Sequence, residues 1–241
     1  MRDLNVITVH DPKGPTGVFN GAPTGGKYAT EKSFDSCEGP RSTKQPMRLL
    51  FAFGHPEGAT GQARLDREQK VIAEEFRNRP AGRFEVSYRP AATVADLSQA
   101  LDRHRPHVLH LSAHGDEVGL TLQAAGSLGG HVLPYAQLAE IVTNMDEPPS
   151  VVVLNACYSV GGAPFLLEKG SRCVIAMSGR LTDQAAAVFA GRFYGSLADG
   201  QPVFFAVSKA RDIMRTDGMV AAADCIRDLW LDSRDREMVP G

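Results

Sequence analysis

The chain has 241 residues, of which 43% are hydrophobic and 22% are charged, and these are ordinary values for a globular protein. This length fits one domain with a tail, and it suffices to bury a core without disulfide or metal staples. The formal net charge of -2 gives no electrostatic argument for binding nucleic acid or an anionic membrane.

The first residues differ in composition from the rest of the chain. Residues 1–45 are rich in Gly, Pro, Ser, Thr and Lys, and only residues 6–9, VITV, have a strand-like pattern. We predict a flexible or loosely docked arm over residues 1–46 and one folded domain over residues 47–241. The arm is either a dispensable tail or a functional segment, such as a pro-segment or a docking arm for a partner.

After Pro46, apolar strand patterns alternate with amphipathic helix patterns. Strands are predicted at 47–54, 83–90, 106–115, 150–159 and 172–179, and helices at 61–79, 93–104, 135–145, 163–170, 182–200 and 202–218. Residues 119–134 predict a hairpin with a Gly-rich turn, and residues 226–231 predict a last edge strand. This alternation predicts an α/β fold with a doubly wound, mostly parallel sheet and helices on both faces.

Cysteine content and the N-terminal sequence predict a cytoplasmic protein. Four cysteines, Cys37, Cys157, Cys173 and Cys225, are scattered without a CxxC pair, unlike a disulfide scaffold. The first residues lack an apolar core of signal-peptide length, and no apolar run reaches the roughly 18 residues of a membrane span. We therefore expect a reducing compartment.

Two predicted strands end in reactive side chains. The segment HVLHLSAHG leads to His114 and Gly115, and the segment VVVLNACYS leads to Cys157. In a parallel sheet, functional groups gather at the carboxyl ends of the strands, so both side chains are expected at one edge. Cysteine attacks only as a thiolate and needs a base, and histidine titrates near neutrality. Gly115, without a Cβ, and the backbone N–H of Cys157 are the candidate donors to a developing oxyanion.

These motifs resemble the caspase-like cysteine peptidases. The segments H-L-S-A-H-G, V-V-L-N-A-C-Y-S and V-I-A-M-S-G, the last followed by T-D-Q-A-A-A, are most similar to the CHAT group, and the similarity spans residues 47–231. The family spacing of roughly 50 residues between His and Cys agrees with this chain. The resemblance implies a caspase-like fold and an endopeptidase of protein substrates, with His114 as general base and acid and Cys157 as nucleophile. Inactive relatives exist, so the alternative is a catalytically inactive module that binds a partner.

The resemblance also implies a substrate pocket. Asp183 lies in S-G-R-L-T-D-Q, and the equivalent Asp of separase receives a substrate arginine. A carboxylate there would pair bidentately with a guanidinium group, although it could also offset the dipole of a helix. Asp116 could reinforce a negative pocket or be a solvated loop acid, and Asn155 could line the pocket through its uncharged amide. We predict cleavage after Arg, or less well Lys, while Arg180 would be the positive group of a pocket for Asp.

No metal or cofactor is predicted from the remaining motifs. His110 and His114 are four residues apart on one strand, which separates them by roughly 13 Å, too far to share one ion. The loop G-H-P-E-G-A-T-G after the first strand matches neither GxGxxG nor the P-loop. We interpret it as a loop at the active-site edge in which His55 and Glu57 could touch substrate. A nucleotide- or flavin-binding domain is a more distant alternative.

The resemblance finally implies regulation. Family members are commonly held latent, and bacterial members act in defence or regulated cell death. We therefore expect a zymogen-like protease under the control of an upstream activating protease, a sensor protein, the arm or a clipped loop. Lys32–Lys44 and residues 125–130 are the candidate clip regions.

Overall fold

The computed structural model describes residues 8–9, 45–54, 62–77, 79–80, 82–237 and 240. Its strands are β1 (Thr8–Val9), β2 (Met47–Phe53), β3 (Phe84–Arg89), β4 (Val108–Ser112), β5 (His114–Gly115), β6 (Gly119–Gln123), β7 (Gly130–Pro134), β8 (Val151–Asn155), β9 (Cys173–Met177) and β10 (Ile226–Trp230). Its α-helices are α1 (Gln62–Arg77), α2 (Val94–His104), α3 (Tyr135–Thr143), α4 (Ala163–Glu168), α5 (Asp183–Ala198), α6 (Val203–Thr216) and α7 (Val220–Cys225). Short 3-10 helices span Ser159–Gly162 and Ser233–Glu237.

The main sheet has the strand order β1-β10-β9-β8-β4-β2-β3. Neighbours from β3 to β9 are parallel, while β10 runs antiparallel to β9 and β1 runs antiparallel to β10. The predicted mostly parallel sheet is therefore confirmed. The strand predicted over 226–231 exists, but it is not an edge strand, because Thr8 and Val9 pair along its outer side.

Apolar side chains cover both faces of this sheet. Alternate residues along each strand point to opposite faces, so successive residues such as Leu50 and Phe51 belong to different clusters. One cluster includes residues of α1, α5 and α6, and the other includes residues of α2, α3 and α4. Burial on both sides explains why β8 (Val151–Asn155), all of it buried, begins with the uninterrupted apolar run 151–154. The predicted helices on both faces are confirmed.

Two helix starts agree with the sequence. The hydroxyl of Thr93 accepts from the backbone N–H of Asp96, whose carboxylate in turn accepts from the Thr93 backbone, which is a capping box. The hydroxyl of Thr182 accepts from the N–H of Ala185 at the start of α5.

The strand predicted over 106–115 is two strands in different sheets. β4 ends at Ser112, and His114 and Gly115 form β5, which pairs with Thr121 and Leu120 in a small sheet of order β5-β6-β7. The strand is interrupted because His114 and Gly115 pair with β6 of the β6–β7 hairpin and not with a strand of the main sheet. The predicted hairpin itself is confirmed.

Several expectations fall on residues outside the described part of the chain. These are most of the arm over 1–46, the loop with His55 and Glu57, and the clip region Lys32–Lys44. Among the described residues, no helix combines the length and the apolar character needed to cross a membrane.

Candidate active site

The two strands that precede His114 and Cys157 are neighbours in the centre of the main sheet. β4 and β8 are parallel, and Ser112 pairs in register with Asn155. His114 and Cys157 each follow two positions after one of these partners, so the chain brings both to the same edge. His114 is exposed and Cys157 is half-buried, as a site open to a substrate requires. The expectation that both strands are central and parallel is confirmed.

Gly115 touches the backbone that carries the nucleophile. A Cβ at Gly115 would lie 2.8 Å from the carbonyl oxygen of Cys157 and 2.9 Å from the Cβ of Ala156. Real Cβ atoms do not approach a carbonyl oxygen so closely, so any side chain at this position would push the two segments apart. The geometry thus provides a packing reason for glycine here, and the oxyanion roles of Gly115 and Cys157 stay predictions.

The loop after β9 holds the sulfur of Cys157. The backbone N–H of Leu181 donates to Sγ at 3.3 Å, and the thiol lies 3.7 Å from the carbonyl oxygen of Leu181. These two contacts fix the position of the sulfur relative to the loop after β9. The sequence analysis missed Leu181, because a backbone donor leaves no trace in residue type.

Tyr158, the residue after the nucleophile, has a left-handed backbone with φ of 55°. Residues other than glycine adopt this region rarely, and it costs strain that the surroundings must offset. The N–H of Tyr158 donates to the carbonyl oxygen of Gly179 at 3.2 Å, which fastens the turn to the same loop that holds the sulfur.

Asp116 and Asp183 each follow a residue of the candidate site along the chain, namely Gly115 and Leu181. Asp183 is exposed in the first turn of α5, two positions after Leu181. Asp116 follows Gly115, and its Oδ1 accepts from the N–H groups of Val118 and Gly119 at 2.8 and 3.0 Å. The Asp116 carboxylate therefore builds the turn between β5 and β6, and its exposed position leaves the predicted pocket role open. Arg180 is also exposed.

Asn155 occupies a different environment from the predicted one. It is fully buried, and its Nδ2 donates to Oε1 of Glu68 at 2.6 Å and to the carbonyl oxygen of Ala186 at 3.3 Å. An amide buried in this way does not line a pocket for substrate, so we leave Asn155 out of the proposed pocket.

Glu68 is the main functional candidate that the sequence analysis missed. It lies on α1 among charged residues, a pattern typical of a solvent-facing helix, yet only 1% of it is exposed. It accepts hydrogen bonds from Ser112 and Asn155 and pairs with Nε2 of His110 at 2.9 Å. Burial by itself would raise the pKa of Glu68, but the hydrogen bond and charge of His110, with the bonds from Ser112 and Asn155, hold that pKa below its usual value.

Tyr135 holds the backbone of the segment that follows His114. Its hydroxyl donates to the carbonyl oxygen of Asp116 at 2.9 Å. Burial raises the pKa of Tyr135 well above its ordinary value, and the negative charges of Asp116 and Cys157 add to this, so the hydroxyl stays a neutral donor. A Cβ at Gly162 would lie 2.5 Å from Cδ1 of the Tyr135 ring, which shows how tightly this support is packed.

Close packing explains why a glycine, Gly54, follows β2, and no ligand is needed for this explanation. A Cβ at Gly54 would lie 2.5 Å from the carbonyl oxygen of Thr121, so the small sheet packs directly on the end of β2.

Within the described ranges, no three His, Cys, Asp or Glu side chains lie together as ligands for one metal ion. His110 is engaged with Glu68 and, through Nδ1, with the hydroxyl of Tyr194 at 3.0 Å.

A parallel sheet whose adjacent central strands lead to a His-Gly pair and a Cys defines the class of caspase-like cysteine peptidase folds. The CHAT domain family model matches residues 20–225, and the chain belongs to this family. The match begins inside the predicted arm. No curated protein matches the chain in sequence.

Two solved structures share this fold. A secreted cysteine protease from Bacteroides thetaiotaomicron, solved with an irreversible peptide inhibitor, is 11% identical with a TM-score of 0.51, covering 71% of this chain and 59% of that one. Gingipain R (RgpB) from Porphyromonas gingivalis, an Arg-specific cysteine proteinase, is 13% identical with a TM-score of 0.52, covering 73% of this chain and 44% of that one. The chain thus spans less than two thirds of either neighbour's length, and at these identities the likeness concerns the fold.

Proposed function

We propose that the protein is a cysteine endopeptidase in which His114 and Cys157 form the catalytic dyad. The observation that carries this proposal is the approach of Gly115 to the Cys157 backbone, which joins the segments of the two reactive residues at the carboxyl edge of β4 and β8. Membership of the CHAT family and the shared fold of two cysteine proteases support the same reaction class.

The reaction follows from the chemistry of these groups. His114 accepts the proton of Cys157, and the thiolate attacks the carbonyl carbon of the scissile peptide bond. The N–H groups of Gly115 and Cys157 donate to the oxyanion of the tetrahedral intermediate. The protonated His114 gives its proton to the leaving amine, which leaves a thioester on Cys157. Water, deprotonated by His114, then hydrolyses the thioester and restores the thiol.

We propose that the residue before the scissile bond is Arg, or less well Lys, and that Asp183 receives it. Two observations support this assignment: Asp183 is exposed, and it lies two positions after Leu181, whose N–H donates to Sγ of Cys157. A carboxylate can bind a guanidinium group through two parallel hydrogen bonds, which favours Arg over Lys. Asp116 is the second acid in this neighbourhood. Gingipain R, which shares the fold, is Arg-specific.

Turnover of fluorogenic peptides that end in Arg, Lys, Asp or Leu tests the proposal, with wild type, His114→Ala and Cys157→Ala compared side by side. We expect Arg-selective turnover that both substitutions abolish. Equal turnover of Arg and Asp peptides would contradict the pocket. If no peptide is cleaved, labelling of Cys157 by an arginyl electrophile, before and after trimming of the arm, separates a latent enzyme from an inactive binding module.

We further propose that the activity is regulated and serves a defence or cell-death pathway in the cytoplasm. This proposal rests on the family resemblance, which implies latency and release by an upstream protease or a sensor protein. Cys157, Cys173 and Cys225, the cysteines within the described residues, are free thiols, which suits a reducing compartment. Isolation of the activating partner with a Cys157→Ala protein, which holds its substrates and partners without cleaving them, is the direct test.

A further inference from the structure

A buried polar cluster lies beneath the candidate dyad. Its members are Glu68, His110, Ser112, Asn155 and Tyr194, and each is at least 99% buried. We call it the Glu68 cluster. Glu68 and Tyr194 come from α1 and α5, whereas the other three come from β4 and β8. The dyad proposed above uses none of these five side chains.

The carboxylate of Glu68 bonds to the ends of both strands that lead to the dyad. Ser112 Oγ donates to Oε2 at 2.6 Å, and Asn155 Nδ2 donates to Oε1 at 2.6 Å. Ser112 and Asn155 are register partners in the parallel ladder. Each is the second residue before a member of the dyad, so one carboxylate ties the two strand ends immediately before His114 and Cys157.

The same cluster reaches the start of α5. Asn155 Nδ2 also lies 3.3 Å from the carbonyl oxygen of Ala186, which is in the first turn of α5, three residues after Asp183. The end of the Cys157 strand is therefore joined both to the His114 strand and to the helix that carries the proposed Arg-binding carboxylate.

Two further bonds orient the carboxylate. His110 Nε2 lies 2.9 Å from Glu68 Oε1, and His110 Nδ1 lies 3.0 Å from the hydroxyl of Tyr194. The ring of His110 is therefore held from both sides, and it holds Glu68 in turn. Burying the charge of Glu68 costs free energy, because the carboxylate loses its contact with water. A gain in stability therefore does not explain this carboxylate, whereas its position between the two strand ends suggests a geometric role.

We infer that Glu68 is a positioning residue, which sets the relative placement of His114 and Cys157 by binding the side chains of Ser112 and Asn155 at once. This inference rests on the proposed function, because it concerns the geometry of that dyad. Displacement of reacting groups by about 1 Å can cost on the order of 100-fold in rate, so a tie two residues from each reactive side chain is placed to matter. A purely structural cluster would instead affect folding stability and leave the chemistry of Cys157 unchanged in the folded protein.

The test compares wild type with Glu68→Gln, which keeps the size of the side chain but removes its charge and one acceptor oxygen. The matched control is Glu74→Gln, the same change at an exposed position of α1. Two quantities are measured in the folded proteins: kcat and KM for an Arg peptide, and the pH profile of Cys157 alkylation by iodoacetamide, read at that residue by mass spectrometry. A thiol paired with imidazolium reacts at lower pH than an isolated thiol.

We expect Glu68→Gln to lower kcat by about 10- to 100-fold with KM little changed, and to move the alkylation profile of Cys157 toward that of His114→Ala. Glu74→Gln should keep the wild-type profile. If Glu68→Gln does not fold, Ser112→Ala removes only the bond to the β4 end, and we expect the same change in profile with a smaller loss of kcat.

The possible results separate this inference from the proposed function. Suppose that the pH profile of Cys157 alkylation differs between wild type and His114→Ala, but Glu68→Gln or Ser112→Ala keeps the wild-type profile. This result overturns the positioning role and leaves the dyad intact. A profile that is identical in wild type and His114→Ala overturns the dyad, and the positioning role with it.

Discussion

A Cβ placed on Gly115 would lie 2.8 Å from the carbonyl oxygen of Cys157. This close approach exists because β5 leaves the main sheet and pairs with the β6–β7 hairpin, which turns the His114 segment across the end of β8. Substitution of Gly115 should therefore displace the His114 and Cys157 segments from each other, because the nearest atom to an added Cβ belongs to the backbone and not to a flexible side chain.

Gly115→Ala should therefore impair catalysis more than folding. The added methyl group must displace the His114 segment from the Cys157 segment, and we expect kcat/KM for an Arg peptide to fall on the order of 100-fold. Gly129→Ala is the matched control, because the nearest atom to a Cβ at that position is the hydroxyl of Ser127 at 3.5 Å, an ordinary contact. Steady-state kinetics and thermal unfolding of both variants are the measurements, and equal kinetic effects of the two changes would contradict the prediction.

Asp183→Asn should reduce selectivity rather than reactivity. The amide is similar in size to the carboxylate but lacks the charge that pairs with guanidinium, so turnover of Arg peptides should fall about tenfold or more relative to Leu peptides. Alkylation of Cys157 should be unchanged. Asp146→Asn, the same change at an exposed position before the amino end of β8, is the control. Unaltered Arg preference in Asp183→Asn would remove this carboxylate from the pocket.

The contribution of Glu68 to stability should depend on pH. Its pKa in the folded protein lies below the ordinary value of 4.5, so the unfolded chain takes up the proton first as the pH falls. The contribution is therefore complete above pH 4.5 and is lost as the pH falls through the folded-state pKa. Denaturant unfolding of Cys157→Ala and of the Cys157→Ala, Glu68→Gln double variant should show a stability difference that shrinks in acid. A difference that stays constant from pH 7 to acid would contradict this assignment.

Cleavage of the chain should distinguish self-processing from activation by another protease. The exposed turn over 125–130 contains no Lys or Arg, whereas Lys32–Lys44 includes basic residues, so an enzyme selective for Arg and Lys should cut itself in the arm. We expect Cys157→Ala to migrate as one intact band and the wild type to produce fragments that begin within residues 33–45. Identical bands after long incubation would count against self-processing, and cleavage of Cys157→Ala at 125–130 would require a different protease.

Much of the fold follows from local pattern. The apolar run of β8 and the starts of the helices predicted from 93 and 182 are properties of short segments, and each appears in the structure where the sequence predicts it. α7 was missed, because six residues, Val220–Cys225, are too few for a helical period to be recognised. The break between Ser112 and His114 was also missed, since the strand partner of His114 is a hairpin whose position no local pattern reveals.

The sequence by itself determined the α/β alternation, the two strands that lead to His114 and Cys157, and the glycine beside the histidine. These depend on hydrophobic period and residue type, which are readable in a single segment. Only the tertiary structure decided that Leu181 donates to the sulfur, that Asn155 is buried, and that Glu68 lies under the site. Backbone donors have no sequence signature, and a charged residue on a helix becomes buried only when distant strands supply its hydrogen-bond partners.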